Sequence, residues 1–124
     1  MTEKEVIITC EDGFKLTGTL YRPTWIKSAI MIAPATGIKR QFYAAFARHL
    51  GESGFAVLTF DNRGIGQSID GSLNKGNPSL TNWGKLDMPA VLEYLKIEVP
   101  NSDYHLIGHS AGGQLVGLMK NALE

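Results

Sequence analysis

The stretch Leu106-Ile107-Gly108-His109-Ser110-Ala111-Gly112-Gly113 decides how this chain is read. A short apolar run ends in the pattern G-x-S-x-G, and a helix is expected from about Ala111 to Leu123. A strand-to-helix turn this tight would clash with bulky neighbours. Gly108 and Gly112 leave room for it, and Ala111 and Gly113 keep the next positions small. Ser110 is thereby pushed out above the end of the strand, with the N-terminus of a helix behind it. That helix end offers backbone N–H groups without intrahelical partners, and a positive dipole, to any developing oxyanion. The plainer reading of the same letters is an ordinary glycine-rich turn, so the surrounding sequence has to decide.

Upstream, Ala56 to Phe60 reads as a buried strand, followed by Asp61-Asn62-Arg63-Gly64-Ile65-Gly66-Gln67-Ser68. Ala29 to Ala33 is a continuous apolar run, typical of a strand buried on both faces, and Pro34-Ala35-Thr36-Gly37 then turns the chain. Between these stretches, Gln41 to Ser53 carries Phe42, Ala45, Phe46 and Leu50 at helical spacing, with Gly54 as its C-cap. At the N-terminus, Glu5 to Cys10 reads as a strand, Glu11-Asp12-Gly13 as a hairpin turn, and Lys15 to Tyr21 as the second strand. Asp61 to Leu80 is a long Gly/Asn/Ser-rich loop. Trp83, Leu86, Ala90, Val91, Tyr94 and Leu95 then follow a helical period that Pro89 interrupts. Either the helix begins near Asp87 with Pro89 in its first turn, or the preceding turn is kinked. Tyr104 to Ile107 is the next strand. Alternating buried strands and helices after a first hairpin point to a mostly parallel α/β sheet.

Composition narrows the function classes. The chain has 124 residues, enough for one small domain. Twelve basic residues balance twelve acidic ones, so nothing supports a nucleic acid or an anionic membrane surface as partner. Cys10 is the only cysteine, which rules out an internal disulfide. The first residues contain no apolar signal region, and no apolar run has the length of a membrane span, so a cytoplasmic location is the expectation. Gly64-Ile65-Gly66 lacks the third glycine of a dinucleotide fingerprint, and no P-loop is present. No His/Cys/Asp cluster has metal-ligand spacing, so neither cofactor nor metal is expected. Lys39 and Arg40, beside Phe42 and Tyr43, read as a solvated helix start.

The strand, D-x-R-G-x-G-x-S, helix, strand and G-x-S-x-G in this order resemble the α/β-hydrolase superfamily, in its serine esterase, lipase and aminopeptidase branch. The resemblance runs from about Glu5 to the end. It implies an α/β fold for residues 1–124: a single domain forming the N-terminal portion of the α/β-hydrolase sheet, with about five strands and three helices. It also implies hydrolysis of a small-molecule acyl substrate (an ester, thioester or amide) through an acyl-enzyme at Ser110. The backbone amides of Ala111 and Thr36 would form the oxyanion hole, although Pro34 and Ala35 stand where the family's loop has His and Gly. Asp61 and Arg63 fall where the family ties loops together near the site.

The family's order is Ser, then Asp or Glu, then His. After Ser110 the sequence has no aspartate and no histidine, and Glu124 is its only acid. Upstream, His109 adjoins the turn, His105 opens the strand and His49 sits in a helix, and each is expected to be a packed or surface residue. The chain as given is therefore expected to be inactive alone and to be the front part of a longer domain. The strand at Tyr104 to Ile107 would then be a sheet edge, open to self-association. The competing class is a non-catalytic α/β-hydrolase-like piece that binds a partner.

Overall fold

A computed structural model describes residues 1–35, 37–66 and 82–109. Its sheet begins with a hairpin of β1 (Thr2–Thr9) and β2 (Lys15–Arg22), paired antiparallel from Thr9↔Lys15 to Thr2↔Arg22. β3 (Ser28–Ala33) and β4 (Phe55–Phe60) follow, and then β5 (Tyr104–Gly108). The strand order is β1-β2-β4-β3-β5. β4, β3 and β5 pair in parallel, while β2 is antiparallel to both of its neighbours. Four of the five strands therefore share one direction, giving a mixed sheet whose parallel part carries the loops of interest.

Side-chain alternation sorts the sheet into two faces. Along β3, Ala29, Met31 and Ala33 join one core, and Ile30 and Ile32 join the other. The first core is roofed by helix α2 (Met88–Glu98) through Met88, Val91 and Leu95. The second is roofed by helix α1 (Ala44–Glu52) through Ala47, with Tyr43 just before it. β3 is buried at all six positions, as its unbroken apolar run requires. β2 and β4 approach very closely at Gly18. A Cβ there would lie 2.7 Å from the Thr59 carbonyl oxygen, so only glycine fits.

The helices depart from the sequence reading in instructive ways. Of the expected stripe of Phe42, Ala45, Phe46 and Leu50, only Leu50 packs against a core. Phe42 is 68% exposed and Phe46 46% exposed, while Tyr43 and Ala47 face the sheet and Gly51 is buried against Met1. A 3-10 turn at Arg40–Tyr43 precedes α1. Small Ala47 lets the helix sit close to the sheet, which hydrophobicity alone does not signal. Gly54, at φ +104°, ends this segment as expected.

Both alternatives at Pro89 are realised together. Trp83–Asp87 forms a π-helical turn, from which the Met88 N–H reaches back to the Trp83 carbonyl. Pro89, which has no N–H, then sits in the first turn of α2. Two α-helices are present among the described residues. The third, expected from Ala111 to Leu123, and most of the expected Asp61–Leu80 loop lie outside them.

Candidate active site

β3, β4 and β5 end side by side, so the segments after Ala33, Phe60 and Gly108 emerge at one edge of the sheet. The chain after β3 leads to α1 on one face, and the chain after β4 leads to α2 on the other. A crevice beyond the carboxyl ends of strands whose connections diverge in this way is where ligands bind in open α/β sheets. Ser110, Ala111 and Thr36, the residues the sequence singles out for chemistry, lie outside the described residues. What the structure places is their immediate setting.

On the β5 side, the ladder runs one residue past the strand: the His109 N–H donates to the Ala33 carbonyl at 3.1 Å. On the β3 side, the Ile38 N–H donates to the Ala35 carbonyl at 3.1 Å, and Gly37 stands at φ +72°. The chain reverses there in a turn that needs a glycine's left-handed backbone. Between the two sides stands Tyr43. Its hydroxyl accepts the Ala35 N–H at 2.8 Å and lies 2.9 Å from His109 Nδ1. The His109 ring meets Tyr43 edge-on at 5.8 Å and stacks parallel to Phe42 at 6.3 Å. Ile32, Phe42, Phe46, Ile107 and His109 line an apolar hollow of about 350 Å³ beside it.

Two buried ionic knots brace the same end of the sheet. In the first, Arg63 is fully buried. It donates from Nε to Asp87 Oδ1 at 2.6 Å and from Nη1 and Nη2 to Asp12 at 2.7 and 3.0 Å. The backbone N–H of Arg63 adds a bond to Asp87 Oδ2 at 2.8 Å. Its guanidinium lies 4.8 Å over the Phe14 ring, and Trp83 Nε1 donates to its carbonyl at 3.0 Å. The hairpin turn, the loop after β4 and the turn before α2 are thereby joined. Burial works against the Arg63 charge, but Asp12 and Asp87 outweigh it and raise its pKa. Burial pushes the Asp87 carboxyl above the usual carboxylate range, against the pull of Arg63, while the hydrogen bond from Arg63 holds Asp12 below it.

In the second knot, Asp61 takes the Arg40 backbone N–H at 2.7 Å and Arg40 Nη1 at 2.5 Å. Arg40 is only 5% exposed, so the expected solvated helix start is wrong at this residue. A guanidinium so placed is stable because Asp61, Thr19 and Glu5 supply acceptors around it. Asp61 and Arg63 thus tie loops, the part the sequence reading gave them.

The other titratable candidates lie apart from the end of β5 or are buried. Cys10 is buried, with its thiol 3.6 Å from Asp87, and burial followed by that negative charge pushes its pKa up to about 12. His49 is exposed on α1. His105 is exposed and pairs with Ile30, toward the opposite end of β5 from His109. Tyr43 and Asp87 were not picked out by sequence reasoning. A signal existed for Asp87, since an aspartate on the apolar face of a helical pattern has to find a buried partner. No local pattern marks Tyr43, whose partners are 8 and 66 residues away.

This order of strands and loops matches a known family. Residues 33–119 fit the model of the alpha/beta hydrolase fold, well over half of the chain. The chain belongs to the α/β-hydrolase family. Solved structures show the same fold. A thermostable carboxyl esterase from Bacillus coagulans, solved with glycerol, is similar with a TM-score of 0.78 at 19% identity, over 95% of this chain and 40% of that one. An esterase from Pyrococcus furiosus is similar with a TM-score of 0.76 at 25% identity, over 92% of this chain and 42% of that one. A serine hydrolase without a lid, from Xanthomonas campestris, is similar at 0.72 and 18%, over 93% and 54%. This α/β-hydrolase chain therefore spans roughly half or less of the length of the structures it resembles. No match is found among the curated proteins. Among the described residues, no helix is long and apolar enough to cross a membrane.

Proposed function

We propose that this chain carries the nucleophile and oxyanion hole of a serine hydrolase that cleaves an ester, thioester or amide through an acyl-enzyme at Ser110. The observation that carries the reading is the pairing of β5 with β3. Their parallel register ends at Ala33↔Gly108, so the chain enters G-x-S-x-G directly beside the loop that would supply the second oxyanion donor. The tetrahedral intermediate would be held by the main-chain amides of Ala111 and Thr36. The loop's own hydrogen bonding supports Thr36. Pro34 has no N–H, and that of Ala35 is held by Tyr43, so the donor role falls to a residue after Ala35.

A serine hydroxyl also needs a general base oriented by a carboxylate. Among the described residues, Asp12, Asp61 and Asp87 are each committed to an arginine, His49 lies on α1, His105 lies toward the start of β5, and His109 Nδ1 is engaged by the Tyr43 hydroxyl. The 124 residues alone should therefore turn over a simple ester at close to the background rate. The esterase activity of the similar structures supports acyl esters as the substrate class. The test is turnover of a p-nitrophenyl ester by the intact protein and its Ser110→Ala variant. A loss on the order of a million-fold is expected, as for other triad nucleophiles. Equal turnover by the two would remove Ser110 from the reaction.

A further inference from the structure

We propose that Tyr43 is a positioning residue whose hydroxyl clips the loop after β3 to the residue preceding the nucleophile, fixing the two halves of the oxyanion hole relative to each other. This inference rests on the acyl-enzyme reading above and goes beyond it. A phenol has one proton to give and can accept at its oxygen. Here the Ala35 N–H enters the oxygen at 2.8 Å, and the hydroxyl bonds His109 Nδ1 at 2.9 Å, donating to a bare ring nitrogen or accepting from a protonated one. Both lengths are those of ordinary hydrogen bonds.

The clip is rigid at its centre. Tyr43 is 7% exposed and packed in the α1-side core with Ile32 and Ala47, so its hydroxyl has a fixed position. Among the described residues, no other hydrogen bond joins the two parts it holds beyond the end of the sheet. The ladder closes with the His109 N–H on the Ala33 carbonyl, and Pro34 cannot extend it. The amide of Ala35, one residue before Thr36, is therefore anchored by Tyr43. The His109 ring, one residue before Ser110, is exposed and is held between Tyr43 and Phe42. A phenylalanine at position 43 would fill the same core, so packing alone gives the hydroxyl no purpose. Oxyanion donors act only when preorganised, and small misplacements are costly in rate.

The test compares the intact protein with Tyr43→Phe, His109→Ala and the double variant, reading kcat and KM separately together with hydrogen exchange at the Ala35 amide. Tyr43→Phe should lower kcat about tenfold, equivalent to about 1.4 kcal/mol, with KM within about twofold. It should also speed Ala35 exchange by about tenfold, since the amide's acceptor is gone. The double variant should be no slower than Tyr43→Phe, because both changes open the same clip. An unchanged kcat in a folded Tyr43→Phe protein, or losses that multiply in the double variant, overturns the proposal. Should Tyr43→Phe not fold, His109→Ala decides: a kcat reduced about threefold at constant KM supports the clip, and an unchanged kcat overturns it. Full turnover by Ser110→Ala would instead defeat the acyl-enzyme reading, and the clip would then be judged on Ala35 exchange alone.

Discussion

Replacing Arg63 with methionine removes the centre of the larger buried knot and keeps much of its packing volume. The side-chain bonds to Asp87 and to Asp12 disappear with it. Asp12 is 37% exposed and recovers water, so its share is small. Asp87 is fully buried and cannot. Stripping one partner from a buried pair costs about 3–5 kcal/mol. Asp87 keeps the backbone N–H of residue 63 and the Cys10 thiol, which puts the expected loss near the lower end, about 3 kcal/mol. Urea unfolding, followed by the fluorescence of Trp83, should show the midpoint falling by about 1–2 M.

The pH dependence carries the sign of the cause. With Arg63 gone, the folded pKa of Asp87, already raised by burial, rises further above its unfolded value. A raised carboxyl costs nothing below the unfolded pKa, where both states are protonated, and costs its full penalty above the folded pKa. The stability deficit of Arg63→Met should therefore be smaller at about pH 4 than at pH 7. The double variant Arg63→Met/Asp87→Leu should recover most of the loss, because an apolar pair replaces an ionic one. A deficit independent of pH, together with strictly additive losses in the double variant, would refute the reasoning.

Three further outcomes are expected. Gly18→Ala should destabilise the protein by at least about 2 kcal/mol in the same urea assay, since the new Cβ meets a backbone oxygen at 2.7 Å. Cys10 should react with a disulfide reagent at pH 8 only as fast as the protein unfolds, because the thiol is buried and its pKa is pushed up to about 12. Residues 1–124 on their own should show background ester turnover and concentration-dependent self-association by size-exclusion chromatography, because β5 ends the strand order of the described sheet.

The sheet was legible because each strand carries its own signal. β3 and β4 are predominantly apolar, and the β1–β2 turn announces itself with Asp12-Gly13. The motif pair around Arg63 and Ser110 pointed to the fold that the family match confirms. The helix faces were harder. The buried positions here, Tyr43 in the 3-10 turn and Ala47 and Gly51 in α1, have helical spacing but are too weakly hydrophobic to stand out as an apolar stripe. Least legible were the long-range polar contacts. Arg40 finds Asp61 21 residues away, and Arg63 finds Asp12 at a separation of 51. Such pairs follow from topology rather than from local pattern. The register of β3 with β5, which sets Ala33 beside Gly108, is likewise a property of the sheet and not of either segment.

The most direct test of the account is covalent labelling. The intact protein is treated with a fluorophosphonate, and the modified peptide is mapped by mass spectrometry. One equivalent of label on Ser110, with none on the Ser110→Ala variant, is the result the account predicts. Label on another residue, or undiminished labelling of Ser110→Ala, would contradict it.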